Sequence, residues 1–256
     1  MLNIVIPMAG RGSRFAQAGF TAPKPFIPVA GIPMIELVIN NLRPATPHRF
    51  IFICQQNHLI RYGYRDRLAR MAPGCEVIGL EHYTDGAACS VLHAAPFIDN
   101  ASPLLIANAD QWVRASIDRF LSMLQSQKLD GLIMTMQSDA PKWSYACLDH
   151  QGMVTEVVEK EVVSKEATVG IYAFQRGNDF CRQARSMIRE NERSKGEFYV
   201  APVYTRLFLE EQARIGIFRT GLDGNGMHGL GTPEDLAAFL RHPALDDALM
   251  ACRAVA

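Results

Sequence analysis

An apolar run, Leu2-Asn3-Ile4-Val5-Ile6-Pro7, leads into Met8-Ala9-Gly10-Arg11-Gly12-Ser13-Arg14-Phe15, and a lysine between two prolines, Pro23-Lys24-Pro25, follows. These residue types in this order suit a polyphosphate. Glycines let backbone N–H groups turn toward anionic oxygens with no Cβ in the way, while arginine and lysine supply the counter-charge. Two familiar anion loops are excluded. The dinucleotide fingerprint G-x-G-x-x-G fails because Phe15 ends the pattern, and the nearby acid, Glu36, falls inside a predicted helix. The loop G-x-x-x-x-G-K-[ST] fails because neither glycine precedes a Lys-Ser/Thr pair. Taken alone, Gly10 to Arg14 fits a plain glycine turn with two solvated arginines equally well. Lys24 weighs against that reading, because the flanking proline rings predict a stiff extended segment and therefore a positioned cation.

The elements that must hold these residues alternate in type. Strands are expected at 2–7, 49–54, 76–80, 103–107 and 131–137, each a short apolar run bounded by turn residues. Helices are expected at 32–42, through the polar stretch to about Met71, at 87–95 and at 116–124. Strands and helices alternating at this pitch predict an α/β protein with a mostly parallel sheet covered on both faces. The second half changes character, with a hairpin over 144–148 and 153–158, a strand at 167–174, helices near 177–191 and 198–211, and a strand at 214–219. Thr232-Pro233-Glu234-Asp235 opens a last helix with Thr as N-cap and Pro at the first helical position. The expected organisation is a single domain over 1–245, with halves at about 1–137 and 138–230, and a tail at 246–256.

Bulk properties narrow the function classes. The 256 residues are 48% hydrophobic and carry a formal net charge of zero, which sustains a core and argues against a general nucleic-acid binder. No apolar stretch approaches the roughly 18 residues of a membrane span, and the N-terminus reads as a strand rather than a leader. Six cysteines without a C-x-x-C pair weaken metal-centre and disulfide readings and point to a cytoplasmic home.

The N-terminal pattern extends further than the loop. Ala9-Gly10-Arg11-Gly12-Ser13-Arg14, then Pro23-Lys24-Pro25, then Phe26 through Ile35 in the form x-x-P-V-x-G-x-P-M-I, resembles the sugar-1-phosphate nucleotidyltransferases, or nucleotide-sugar pyrophosphorylases, including capsule-type cytidylyltransferase-like members. The resemblance implies a three-layer α-β-α, Rossmann-like nucleotidyltransferase fold with a small β-rich insertion for the acceptor. It implies that Met8 to Ser13 wrap the phosphates of an NTP and that Arg14 and Lys24 neutralise departing pyrophosphate. It further implies that Asp110, in Asn108-Ala109-Asp110, holds Mg²⁺, making Arg14, Lys24 and Asp110 the catalytic set. Thr84, Gly86 and Ala87 match the segment against which the base lies, with Asp85 readable as a simple helix cap. Glu81 falls where pyrimidine-selecting relatives often have Gln, so the base stays open.

For the acceptor, the resemblance points to Ser144 and Tyr145, Glu159-Lys160, Thr168 and Gly170, Lys195 and Glu197, and His228, although Glu156 to Glu166 reads equally as a solvated charged hairpin and His228 at least as readily as a satisfied structural histidine. Two departures stand out. Gly229 occupies the place of a second metal aspartate, for which Asp223, a lone Mg²⁺ or the acceptor's own phosphate are the alternatives. Trp143-Ser144-Tyr145 replaces a glycine of hexose-binding relatives and makes a bulkier wall. The implied activity is Mg²⁺-dependent transfer of a nucleotidyl group to a small phosphorylated acceptor, supplying surface-polysaccharide precursors. Cytidylyl transfer to a non-sugar phosphate and a degenerate nucleotide-binding module are the alternatives. A glycosyltransferase is discounted because Asn108 stands where a D-x-D metal motif would begin. Oligomeric relatives imply a homo-oligomer by analogy only.

Overall fold

The computed structural model describes residues 1–253. Its strands in chain order are β1 (Leu2–Pro7), β2 (Pro28–Val29), β3 (Ile32–Pro33), β4 (His48–Gln55), β5 (Glu76–Leu80), β6 (Leu104–Ala107) and β7 (Gln111–Val113), followed by β8 (Gly131–Gln137), β9 (Ser144–Leu148), β10 (Val154–Glu159), β11 (Glu166–Phe174), β12 (Ile215–Leu222) and β13 (Met227–Gly229). Nine of them form one sheet in the order β10-β9-β11-β6-β1-β4-β5, with β8 on β11 and β12 beyond it. Only β10 and β11 run against the other strands of this mixed, mostly parallel sheet.

Period-two alternation explains the layers. Ile4 and Ile6 of β1, with Phe50 and Phe52 of β4, pack on one face under the helices Met34–Leu42, Tyr64–Met71 and Ile117–Ser126. Val5, Ile51 and Ile53 point the other way, toward the helices Ala87–Leu92, Gly177–Arg189 and Pro202–Glu211. Strands buried on both faces read as continuous apolar runs, which is why they were legible.

A third cluster lies beside the glycine loop, where Phe15, Ile27, Met34, Trp112, Leu230 and Phe239 meet the helix Ala244–Arg253. Residues 246–253, expected as a tail, thus lie within a helix that buries Ala248 and Cys252; residues 254–256 lie outside the described residues. Phe15 is 1% exposed and anchors the loop in this cluster. Truncating such a phenylalanine costs about 3–5 kcal/mol and would free the loop as well.

Two local expectations are corrected. Pro23-Lys24-Pro25 is not extended throughout: Lys24–Phe26 is a 3₁₀ turn closed by Phe26 N–H to Pro23 O at 2.8 Å and Ile27 N–H to Lys24 O at 3.1 Å. Proline is tolerated in a first turn, where its missing N–H has no partner to lose. The expected helix at 87–95 breaks into Ala87–Leu92 and Ala95–Ile98, with Pro96 in the second. Elsewhere the helical stretch to Met71 divides at Gly63 into Gln56–Tyr62 and Tyr64–Met71, boundaries move by one to a few residues, and Thr232 does cap the Pro233–Phe239 helix, accepting from Asp235 N–H at 3.1 Å.

Candidate active site

The glycine loop leaves the carboxyl end of β1 and is tied to β4 at two points. Met8 N–H donates to Ile53 O at 2.8 Å, and the buried Gln55 donates its amide to Ala9 O at 2.9 Å. Gly12 takes φ 61° as the chain enters the short helix Ser13–Gln17, a left-handed conformation that glycine adopts freely. The loop thereby borders a cleft of about 440 Å³ lined by Ala9 to Phe15 and Lys24, and on the other side by Tyr83, Thr84, Gly86, Ala87 and Ser90; Asn108, Glu197 and Gly231 complete it. An adjoining hollow of about 290 Å³ is lined by Met8, Gly10, Gly12, Lys24, Pro25, Asn108, Ala109 and Asp110. Carboxyl ends of parallel strands are where such sheets bind ligands.

Lys24 and Asp110, 86 positions apart in the chain, form a hydrogen-bonded ion pair between the loop and the end of β6. The pair is partly buried and sits against Gly231, where a Cβ would lie 3.1 Å from Asp110 Oδ2 and 3.6 Å from Lys24 Nζ. Leu230 N–H donates to Asp110 O at 2.7 Å, locking the strand end to the entry of the Pro233–Phe239 helix.

Asn108 is seated by a glycine. Strand β11 changes register between Thr168 and Tyr172, and Gly170 there takes φ 73°. A Cβ on Gly170 would fall 2.1 Å from Asn108 Nδ2 and 2.9 Å from Gln111 Oε1. Asn108 N–H also donates to Gly170 O at 3.0 Å.

On the opposite wall Gly86, at φ 136°, lies against the backbone of Phe198, whose O and N would be 2.4 and 2.6 Å from an added Cβ. Phe198 N–H donates to Asp85 O at 2.8 Å and Ala88 N–H to Phe198 O at 3.0 Å, so the two segments pair like strands. Asp85 is therefore no helix cap. Its carboxylate accepts from Arg193 Nη2 at 2.9 Å, while Gly86 takes the N-cap position without a side-chain bond. Ser194 and Glu197 exchange backbone hydrogen bonds at 3.0 Å around Lys195 and Gly196, at φ 49° and 87°. Two consecutive positive φ values make a type I′ hairpin turn, and this one carries Glu197 to the cleft.

The expected acceptor residues fall into two groups. Ser144 donates to Glu159, and burial pushes the Glu159 carboxyl up against the opposing effect of that bond. Lys160, at φ 57°, donates to the Tyr199 hydroxyl at 2.7 Å, a bond that raises its pKa, and Thr168 Oγ1 lies 3.0 Å from the Tyr172 hydroxyl, whose pKa burial raises. Glu197 acts on both Glu159 and Lys160, which brings the turn and this cluster together.

The second group is Tyr145 and His228; of all the expected acceptor residues, only Glu197 lines either hollow. Tyr145 is fully buried and donates to Ala140 O at 2.8 Å. His228 is enclosed by Trp112, Phe239 and His242, its ring 4.4 Å from that of His242; burial first, then His242 and Arg114, lower its pKa to about 4. Glu81 is exposed and lines neither hollow. Asp223 accepts from Trp143 Nε1 at 3.0 Å and Ser138 Oγ at 3.3 Å.

Sequence reasoning missed Tyr83 and Ser90 on the cleft wall, and Gln55 beneath the loop. It also missed Gln111, 4% exposed with an unpartnered Nε2 beside Asn108 and Gly170. Position directly after Asp110 was the one available signal for Gln111.

Among the described residues, no group of three or more His, Cys, Asp or Glu is arranged to hold a metal. Among the described residues, Asp110 is the only carboxylate lining the 290 Å³ hollow. One hard oxygen ligand beside space for phosphates and water suits Mg²⁺, which commonly takes one or two carboxylates and completes its shell with those groups.

The chain is a three-layer α/β protein with a cation-lined cleft at its strand ends, the edge where such sheets bind ligands. The nucleotidyl transferase family model matches residues 4–203, and the chain belongs to that family. It is similar to the nucleoside-diphosphate-sugar pyrophosphorylase from Vibrio cholerae RC9, with 26% identity, a TM-score of 0.81 and coverage of 93% of this chain and 100% of that one. It is 26% identical over 214 residues to the bifunctional protein GlmU of Cupriavidus metallidurans, covering 80% of this chain and 44% of that protein. The chain thus spans less than half of that curated relative. A putative glucose-1-phosphate thymidylyltransferase from Bacillus anthracis, at 19% identity, a TM-score of 0.69 and 93% coverage of each chain, shares the fold. No helix among the described residues is long and apolar enough to cross a membrane.

Proposed function

We propose that the chain is a Mg²⁺-dependent nucleotidyltransferase joining an NTP to a small phosphorylated acceptor and releasing pyrophosphate. The observation that carries this reading is the Lys24–Asp110 pair beside the glycine loop. An acceptor phosphate oxygen attacks the α-phosphorus, the bond to the β-phosphate breaks, and the electron pair leaves with pyrophosphate. The acceptor is already anionic, so no general base is needed, and catalysis rests on alignment and charge stabilisation. Arg14 forks onto the leaving phosphates and Lys24 turns from Asp110 to the same group. Asp110 would hold Mg²⁺ with phosphate oxygens, where the ion supplies charge neutralisation when bound. Glu159, Lys160 and Glu197 hold the acceptor across the cleft. Its chemistry is a sugar 1-phosphate or a related small phosphate, and the biological role is cytoplasmic supply of capsule or lipopolysaccharide precursors.

A variant reading, cytidylyl transfer to a non-sugar phosphate, draws support from Trp143, whose ring would come within 3.9 Å of a Cβ on Gly229. The deciding experiment is a pyrophosphate-release screen of each NTP against a panel of phosphorylated acceptors with Mg²⁺. Turnover selects the pair, whereas nucleotide binding without turnover on any pair would leave a binding module.

A further inference from the structure

The cleft beside the glycine loop is cationic along one side and aromatic on the other. Tyr83 follows β5 and keeps 47% of its surface exposed while lining the cleft. Arg11, from the loop after β1, rests its guanidinium 4.5 Å from the centre of that ring. Strand β4 lies between β1 and β5, so this contact bridges the end of an intervening strand, a span of roughly 10 Å at the usual strand spacing.

The rest of the Tyr83 wall is small and uncharged: Thr84 shares a 2.6 Å hydrogen bond with Ser90, and Gly86 exposes backbone. A triphosphate drawn to the cationic side therefore leaves its base beside the one exposed π face of the cleft. An exposed cation–π contact is weak enough to exchange for a base–aromatic stack.

We propose that Tyr83 is the platform for the nucleobase, and that Arg11 occupies its face in the free protein and passes to the polyphosphate when nucleotide binds. This rests on the nucleotide-binding reading above. Because every base has a π face, the ring sets affinity for a nucleoside triphosphate over bare polyphosphate more than it selects among bases.

The test compares binding of NTP and of inorganic tripolyphosphate by calorimetry with Mg²⁺ present. Tyr83→Ala should weaken NTP binding by about tenfold or more and leave tripolyphosphate binding undiminished or slightly tighter, since Arg11 no longer leaves a ring to reach it, while Tyr83→Trp restores NTP affinity. Arg11→Ala should weaken both ligands. NTP binding to Tyr83→Ala at wild-type strength overturns the platform, and so does an equal loss of NTP and tripolyphosphate. If wild-type protein binds no NTP at all, the nucleotide reading itself falls, a result distinct from either of these.

Discussion

Replacing Gly170 with alanine tests how strand β11 positions Asn108 at the edge of the cleft. At φ 73° an alanine pays roughly 1–2 kcal/mol for the left-handed backbone alone. Its Cβ would also stand 2.1 Å from Asn108 Nδ2 and 2.9 Å from Gln111 Oε1. Ordinary carbon contacts begin near 3.5 Å, so the asparagine amide must move by about 1 Å or more. Asn108 is exposed and can swing away, but Gln111 is buried and resists. The expected total is about 2–3 kcal/mol, or a fall in Tm of about 4–12 °C for a chain of this size. A displacement of about 1 Å in a positioning residue is worth about a hundredfold in rate. Thermal denaturation and pyrophosphate release should therefore both respond. Asn108→Ala combined with Gly170→Ala should recover part of the stability, because the clash with the amide is gone and the two changes cease to be additive. Wild-type Tm in Gly170→Ala, or strict additivity in the double variant, would refute the seating of Asn108 by this glycine.

Lys24→Ala should lower kcat by about a hundredfold or more, consistent with one positioned charge in such a site contributing ~3 kcal/mol; an unchanged rate of pyrophosphate release would remove Lys24 from the leaving-group role. Asp110→Asn should abolish the Mg²⁺-dependent rate, read as turnover across a Mg²⁺ titration, and retained metal dependence would move the ligand elsewhere. His228 has a pKa lowered from 6.5 to about 4, so the unfolded chain binds its proton first. Its contribution to stability is present above pH 6.5 and is lost as pH falls toward 4, by about 3 kcal/mol at most. The denaturant midpoint of wild type should fall relative to that of His228→Leu as pH drops through that window, and parallel pH profiles would count against it.

The sheet was legible because strands buried on both faces are continuous apolar runs, as in β1, β6 and β8. The loop at 9–14 and its partner Lys24 were legible because glycine and flanking proline declare backbone geometry locally. What escaped depends on distant pairing. Asp85 reads as a cap until Arg193, 108 positions away, claims its carboxylate. His228 reads as a site residue or a structural histidine until β13 pairs with β7 and turns it among Trp112 and Phe239, which decides for the second. The 3₁₀ turn at Lys24 defeated a rule about residues before proline, because its closing hydrogen bonds need nothing from Pro25 N. Tyr83 and Gln111 carry no motif at all, and only the folded cleft selects them from other aromatics and amides.

Strand β11 has a consequence for anyone hoping to exchange acceptor specificity between relatives. Its first residues pair with β9 and its last with β6, while β8 lies along its other edge. A fragment ending at Gln137 would leave β6 with one unpaired apolar edge and β8 with both edges unpaired, the kind of surface that recruits other chains. The molecule is thus a poor candidate for division or transplantation at the middle of its sequence. Under the proposed function, new acceptors are better sought by rewriting residues 138–165 and the 194–197 turn on an intact β11, much as a lock is rekeyed at its pins while the cylinder stays in the door.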